Sequence, residues 1–90
     1  MKALQIIVSG KVQGVSFRAS TKVVADQMGI KGTAKNQKDG TVIIHAEGDD
    51  ITLGFFIDWC KTGPDGAQVE DIIIHDIEIK NYSNFAVLKK

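Results

Sequence analysis

The sequence holds only one cysteine, Cys60, and therefore cannot form a disulfide within the chain. This scarcity is typical of proteins in a reducing compartment, so we expect a cytoplasmic protein. Every apolar run is far shorter than the roughly 20 residues that a membrane-spanning helix needs. The N-terminal stretch MKALQIIVSGK also lacks the extended apolar region and the cleavage site of a signal peptide. We therefore expect no membrane partner.

The sequence also lacks an excess of charge, because eleven lysine and arginine residues balance eleven aspartate and glutamate residues. A neutral chain argues against a general affinity for nucleic acid or anionic membranes. Its 43% hydrophobic and 24% charged residues are ordinary for a globular protein. Ninety residues suffice for one hydrophobic core, so we expect one domain over residues 1–90. We also expect a monomer, although no feature of the sequence specifies the oligomeric state.

Hydrophobic periodicity divides the chain into strands and helices. Short or alternating apolar runs predict strands, and spacings of three and four residues predict helices. The predicted strands cover 3–9, 31–36, 41–47, 69–79 and 85–88, and the predicted helices cover 17–28 and the segment from Asp49-Asp50 to Thr62. The order strand, helix, strand, strand, helix, strand is that of a ferredoxin-like βαββαβ sandwich. We predict an α+β fold with two helices on one face of a mostly antiparallel sheet of four to five strands.

Apolar stripes on the two predicted helices indicate the core. The first stripe comprises Phe17, Thr21, Val24 and Met28, and the second comprises Ile51, Phe55 and Trp59 with Phe56 and Cys60 beside them. We interpret the helical aromatic residues as core: Phe17, Phe55, Phe56 and Trp59. Cys60 is interpreted as a packing residue in or at the rim of the core, and a nucleophilic role is rejected.

The stretch GKVQGVSFR, residues 10–18, contains the only arginine of the chain, Arg18. Gly10 is expected to end the first strand, and Gly10 and Gly14 permit the backbone angles of a loop over residues 10–16. In a βαββαβ sheet the first two strands run parallel, so their C-terminal ends lie at one edge. We therefore expect the loop and Asn36, which ends the second strand, to lie close together.

A glycine-containing turn at the start of a helix can direct several backbone N–H groups at one anion. Arg18, in the first helical turn, can present a two-pronged donor to two phosphate oxygens, whereas a lysine presents a point charge. A cation at this helix end is disfavoured by roughly 0.3–1 kcal/mol unless an anion compensates it. The pattern alone leaves a second interpretation open, in which Arg18 is solvated and the glycines only shape the turn. The segment matches neither the nucleotide-hydrolase phosphate loop nor the dinucleotide fingerprint.

The chain resembles the acylphosphatase family over nearly its whole length. The segment VQGVSFR carries the resemblance, followed by Thr21, Ala25, Gly29-Ile30-Lys31-Gly32, Asn36 and Asp39-Gly40-Thr41-Val42. The C-terminal half agrees at Gly63-Pro64, Ala67, Val69, Tyr82 and Phe85. One departure is Thr33-Ala34, where many members have an aromatic residue and a valine before the asparagine. That departure concerns local packing.

The resemblance implies a small ferredoxin-like hydrolase that splits acyl phosphates into a carboxylate and inorganic phosphate. It implies that Arg18 binds the phosphate, that Asn36 positions the attacking water, and that the loop contributes its backbone amides: Gln13, Gly14, Val15, Ser16, Phe17 and Arg18. Position 16 varies in the family, so Ser16 receives no catalytic role. The resemblance implies no metal, no cofactor and no covalent intermediate.

Other candidate sites and functions are weaker. His45 and His75 lie thirty residues apart without a third ligand in pattern, so we interpret them as surface residues. A non-catalytic module of the same fold could bind an anion or a small molecule, although such a module would be expected to lose Arg18 or Asn36. Binding of single-stranded RNA on the sheet needs exposed aromatic residues on the central strands, and 3–9 and 41–47 contain none.

Overall fold

The computed structural model describes residues 1–89, which form five strands and two helices in the predicted order. The strands are β1 (Lys2–Lys11), β2 (Lys31–Asn36), β3 (Val42–Gly48), β4 (Gln68–Ile77) and β5 (Phe85–Leu88). The helices are α1 (Phe17–Met28) and α2 (Asp50–Thr62). The strands form one sheet in the order β4-β1-β3-β2-β5, which confirms the predicted ferredoxin-like α+β fold.

The pairing of the strands sets the position of the loop after β1. Both β1 and β2 pair antiparallel with β3, so they run parallel to each other, as predicted. The short strand β5 pairs parallel with β2 at the edge of the sheet. The loop that leaves β1 and Asn36 at the end of β2 therefore lie on the same side of the sheet, where both strands have their C-terminal ends.

One face of the sheet packs against the helices. The paired residues Ile6 and Ile44, at the centre of β1 and β3, are both fully buried there. The core continues through alternate strand residues and one side of each helix: Leu4, Val8, Ala34, Val42, Phe17, Ala25, Leu53 and Phe56. Alternation of this kind gives each strand one side for the core and one for the outer face of the sheet.

The predicted stripe on α2 is wrong in part. Ile51 and Phe55 are 77% and 62% exposed, whereas the buried side of the helix is formed by Leu53, Phe56 and Cys60. A repeated spacing of four drifts around a helix of 3.6 residues per turn, while spacings of three and four stay on one side. The interpretation of Phe56 and Phe17 as core residues is confirmed. Trp59 is partly buried, and its ring centroid lies 5.6 Å from that of Phe17.

The prediction that Gly10 ends the first strand is also wrong, because β1 continues to Lys11. The pairing with β4 shifts register between Ser9 and Gly10, which marks a β-bulge. Gly10 has φ 119°, and a Cβ there would lie 2.2 Å from the carbonyl oxygen of Gln68. The glycine is thus required by the close approach of β4, and the loop begins only after Lys11.

Within residues 1–89, neither helix is both long and apolar enough to cross a bilayer.

The second helix begins at the N-cap Asp49, whose carboxylate accepts a hydrogen bond of 2.8 Å from the backbone N–H of Thr52. The interpretation of Asp49-Asp50 as a helix start is therefore confirmed. This bond, and a second from the Thr52 hydroxyl, hold the pKa of Asp49 below its ordinary value.

Candidate active site

The loop between β1 and α1 has an unusual backbone. Gly14 and Ser16 have φ 76° and 61°, in the left-handed region, and Ser16 is the N-cap of α1 without a side-chain capping bond. Within residues 1–89, the backbone N–H groups of residues 14–19 donate to no protein acceptor. The first turn of α1 also contains no acidic residue. Such a helix start is a ready site for an anion.

Arg18 lies in this first turn and is partly buried. Its Nη1 atom donates a hydrogen bond of 2.6 Å to the carbonyl oxygen of Leu88, at the end of β5. That bond fixes one side of the guanidinium, while Nε and Nη2 have no protein acceptor in the described part of the chain. The side chain is therefore held in place with donors still available to a ligand.

Arg18 and Asn36 line the same cavity of about 390 Å³, eighteen positions apart in sequence. The other residues that line it come mainly from the loop and the start of α1: Val12, Gly14, Ser16, Phe17, Ala19 and Val87. Of the predicted loop residues, Gln13 and Val15 do not line this cavity. The arrangement unites backbone donors, one guanidinium and one carboxamide, which suits an oxyanion with a neighbouring water.

Gln13 has a side-chain role that the sequence pattern did not indicate. Its Nε2 atom donates to the carbonyl oxygens of Gln37 and Thr41, at 2.8 and 2.9 Å. Those carbonyls belong to the turn between β2 and β3, which begins directly after Asn36. Both hydrogen atoms of the amide are thus used to join the anion loop to the turn that carries Asn36.

The turn after Asn36 is itself tightly hydrogen-bonded. The N–H of Gln37 donates to the carbonyl of Thr41 at 2.8 Å, and the Thr41 hydroxyl donates to the carboxylate of Asp39 at 2.6 Å. The Asp39 carboxylate also accepts from the backbone N–H of Thr41. These bonds from Thr41 hold the pKa of Asp39 below its ordinary value. A rigid turn of this kind can fix the position of Asn36.

A second cavity, of about 600 Å³, lies beside the first and shares Asn36 with it. Its other lining residues are Lys35, Gln37, Lys38 and Lys89. A third cavity, of about 420 Å³, lies on the outer face of the sheet and is lined by Thr33, Lys35, Gln37, Ile43, His45, Lys80, Tyr82 and Leu88. The surroundings of Asn36 are therefore rich in lysine.

Glu47 is a buried carboxylate that sequence reasoning missed. It is 2% exposed and accepts backbone hydrogen bonds from Lys80, Asn81 and Tyr82, at 2.5, 3.2 and 3.0 Å. Asn81 has φ 59°, so the carboxylate stabilises a left-handed turn. This turn leads into β5, whose last carbonyl, that of Leu88, binds Arg18. Nothing local in the sequence marks a carboxylate whose partners lie more than thirty residues away.

The two histidines lie in one cross-strand row of the sheet, on either side of Gln5. His45 is partly buried between Tyr82 and Gln5, with its ring nitrogens 3.3 Å from the hydroxyl and from the amide oxygen. Burial, and secondly the charge of Lys80, hold the pKa of His45 below its ordinary value. His75 on β4 is exposed. Among residues 1–89, no three His, Cys, Asp or Glu side chains are grouped to hold a metal ion.

Cys60 lies in the core beneath α2 and is 0% exposed. Burial raises the pKa of its thiol to about 12, so almost no thiolate forms at neutral pH. Since the thiolate is the nucleophilic form, Cys60 is a packing residue.

Comparison with known proteins places the chain among a group of similar length. The family model described as Acylphosphatase matches residues 4–87. The chain is 48% identical over 87 residues to a protein named Acylphosphatase from Archaeoglobus fulgidus, covering 97% of this chain and 98% of that protein. A protein of that name from Ligilactobacillus salivarius is also 48% identical, over 88 residues, covering 97% of this chain and 98% of that protein. The crystal structure of acylphosphatase from Bacillus subtilis superimposes with a TM-score of 0.95 at 35% identity, covering 98% of this chain and 99% of that one.

Proposed function

This chain belongs to the acylphosphatase family, and we propose that it hydrolyses acyl phosphates by direct attack of water, with Arg18 and Asn36 as the main site residues. The products are a carboxylate and inorganic phosphate. The observation that carries the assignment of residues is the single cavity lined by Arg18, Asn36 and the start of α1.

The phosphoryl group binds at the N-terminus of α1. Its oxygens accept hydrogen bonds from the N–H groups of the 13–18 loop and from the donors of Arg18 that Leu88 does not use. The left-handed angles at Gly14 and Ser16 turn these N–H groups toward one point. Such preorganised donors stabilise the charge on the phosphoryl oxygens in the transition state without further rearrangement.

Asn36 positions the water for in-line attack. As the water oxygen bonds to phosphorus, the phosphorus–oxygen bond to the acyl group breaks, and its electron pair leaves with the carboxylate. A carboxylate is a good leaving group and needs no general acid. A carboxamide can orient the water but cannot take its proton at neutral pH, so that proton passes to a phosphoryl oxygen of the substrate. Positioning and electrostatics therefore account for the catalysis.

Gln13 acts as a positioning residue. Its amide joins the loop that binds phosphate to the turn that follows Asn36, with two hydrogen bonds of 2.8 and 2.9 Å. The distance between the phosphorus and the water held by Asn36 therefore depends on this bridge. Since a misplacement of about 1 Å can cost roughly 100-fold in rate, a fixed separation matters.

The decisive experiment is a continuous assay with benzoyl phosphate, with inorganic phosphate as a competitor. We expect Arg18→Ala and Asn36→Ala each to lower kcat by about 10²–10³ while the circular dichroism spectrum stays native. Lys31→Ala and Asn84→Ala are matched controls, because both side chains are exposed and outside the cavity. Near-normal turnover by either site variant would refute the assignment of residues. Phosphate binding by the wild type without hydrolysis would instead support a non-catalytic module.

We further propose that the protein works as a monomer in the cytoplasm on small-molecule substrates, without nucleic acid or membrane partners. The chain has a single cysteine, the buried Cys60, and thus no disulfide of its own, which is typical of proteins in a reducing compartment. Light scattering coupled to size-exclusion chromatography at the assay concentration should give the mass of one chain, 9.8 kDa. A stable dimer mass would contradict this part of the proposal.

A further inference from the structure

The net charge of zero conceals a separation of charge across the sheet. Residues 62–79, which include the edge strand β4, contain five acidic residues and neither lysine nor arginine: Asp65, Glu70, Asp71, Asp76 and Glu78. The other end of the sheet, formed by β2, β5 and the adjoining turns, holds five lysines within residues 1–89. Four of them line the two cavities on that side, and we term these the lysine edge: Lys35, Lys38, Lys80 and Lys89. The fifth, Lys31 at the start of β2, lines neither cavity. Arg18 lies at this same end.

Within residues 1–89, no salt bridge neutralises the lysine edge. The ion pairs among residues 1–89 involve Lys2, Lys22 and Lys61 instead. Among residues 1–89, two nearby carboxylates are engaged in other contacts. Asp39 accepts hydrogen bonds from Thr41, and Glu47 is buried against the backbone of residues 80–82. The cavities that contain the lysine edge are lined by no acidic residue in the described chain.

We propose that the lysine edge attracts anionic substrates and selects acyl phosphates whose acyl group carries a second negative charge. This proposal rests on the proposed function and names the substrate class for that site. Lys35, Lys38 and Lys89 line the cavity that shares Asn36 with the phosphate cavity. Their field therefore extends over the place where the substrate binds, and each additional negative charge on the substrate is attracted there.

The attraction requires no direct contact with the acyl group. At an ionic strength of 0.15 M the Debye length is about 8 Å, so neighbouring charges act over the dimensions of a small ligand. The field favours the encounter with a substrate that carries the additional charge. It then stabilises the bound complex and the transition state equally, because both carry that charge. The preference is consequently expected in kcat/KM, with kcat nearly unchanged.

The test compares benzoyl phosphate with 4-carboxybenzoyl phosphate. The two substrates share a rigid ring and a similar leaving group, and they differ by one negative charge. Because the ring is rigid, the added carboxylate cannot attack the acyl phosphate group of its own molecule. At low ionic strength we expect the wild type to favour the carboxylated substrate by about threefold to tenfold in kcat/KM. The preference should fall toward one in 0.5 M salt, about where screening confines electrostatics to a few ångströms.

Two triple variants separate the lysine edge from charge in general. Lys35→Gln with Lys38→Gln and Lys80→Gln should remove the preference while benzoyl phosphate is still hydrolysed. Lys2→Gln with Lys31→Gln and Lys61→Gln removes the same charge at positions that line neither cavity, and this variant should retain the preference. An equal preference in both triple variants, a preference unchanged by salt, or no preference in an active wild type would overturn the proposal. Failure to hydrolyse either substrate would refute the proposed function instead.

Discussion

The side-chain amide of Gln13 donates a hydrogen bond of 2.8 Å to the carbonyl oxygen of Gln37, 24 residues further along the chain. The same amide reaches the carbonyl of Thr41, so one side chain satisfies two acceptors at the base of the β2–β3 turn. These two hydrogen bonds thus connect the anion loop directly to the turn after Asn36. This relationship makes the geometry of the site depend on a residue that does not line its cavity.

Gln13→Glu keeps the size of the side chain but replaces two donors with carboxylate oxygens that face two carbonyls. We expect kcat to fall by about 10- to 100-fold, because the loop and Asn36 separate. The inhibition constant of inorganic phosphate should also rise, because the new carboxylate lies in the loop that binds the anion. Gln27→Glu, at an exposed position on α1, is the control. A loss of stability with unchanged kcat would make Gln13 merely structural.

Arg18→Lys retains the positive charge but loses the planar fork. A lysine can still reach toward Leu88, so the unfolding temperature should stay close to that of the wild type. We expect kcat/KM to fall by about 10²–10³, since a point charge cannot bind two phosphoryl oxygens in the same way. Added guanidinium ion should partly restore the activity of Arg18→Ala, whereas a simple alkylammonium ion should not. Full activity of Arg18→Lys would argue against a role for the fork.

Glu47→Gln exchanges a buried acceptor of three backbone hydrogen bonds for a group with one oxygen and one amide. One or two N–H groups in residues 80–82 would then lose their partner. We expect the free energy of unfolding to fall by about 1–3 kcal/mol, which urea denaturation would measure. Glu70→Gln, at an exposed position on β4, is the control. Equal stability of Glu47→Gln and the wild type would contradict this account.

His45 predicts a dependence of stability on pH. Its pKa lies below the ordinary 6.5 in the folded protein, because burial and Lys80 disfavour the charged ring. The unfolded chain therefore binds the proton at higher pH than the folded chain does. The contribution to stability is complete above about pH 6.5 and is lost as the pH falls below that value. Unfolding midpoints of His45→Gln should vary less between about pH 7.5 and 5 than those of wild type or His75→Gln.

Cys60 should resist modification in the folded state. Its thiol is fully buried and its pKa is raised to about 12 by burial. Reaction with Ellman's reagent should be very slow in buffer and should reach one thiol per chain in denaturant. Cys60→Ala should lower stability by about 1 kcal/mol but leave kcat unchanged. Rapid labelling of the native protein would show that the region beneath α2 opens readily.

Periodicity and topology were sufficient to predict the elements and the meeting of Arg18 with Asn36. Both depend on regular features: the alternation of strand residues, and the rule that parallel strands end at one edge. Ile51 and Phe55 were misplaced because apolar residues on a short helix permit more than one choice of buried side. Composition, which sums charge over all positions, could not reveal the lysine edge.

Features that depend on distant backbone positions escaped prediction. The bulge at Gly10 is set by the approach of β4, and the burial of Glu47 by the path of residues 80–82. The bridge from Gln13 likewise needs two carbonyls that lie 24 and 28 positions away. A polar residue on a strand or loop is most often solvated, so its own neighbourhood gives no indication of such partners.

The uncapped start of α1 carries a consequence for the evolution of the protein. Most helices are stabilised by a side-chain cap and an acidic first turn, and α1 has neither. An acidic residue introduced there would stabilise the fold, yet at the proposed phosphate site it would compete with the substrate and inhibit hydrolysis. Selection for stability and selection for turnover therefore act in opposite directions on this one turn.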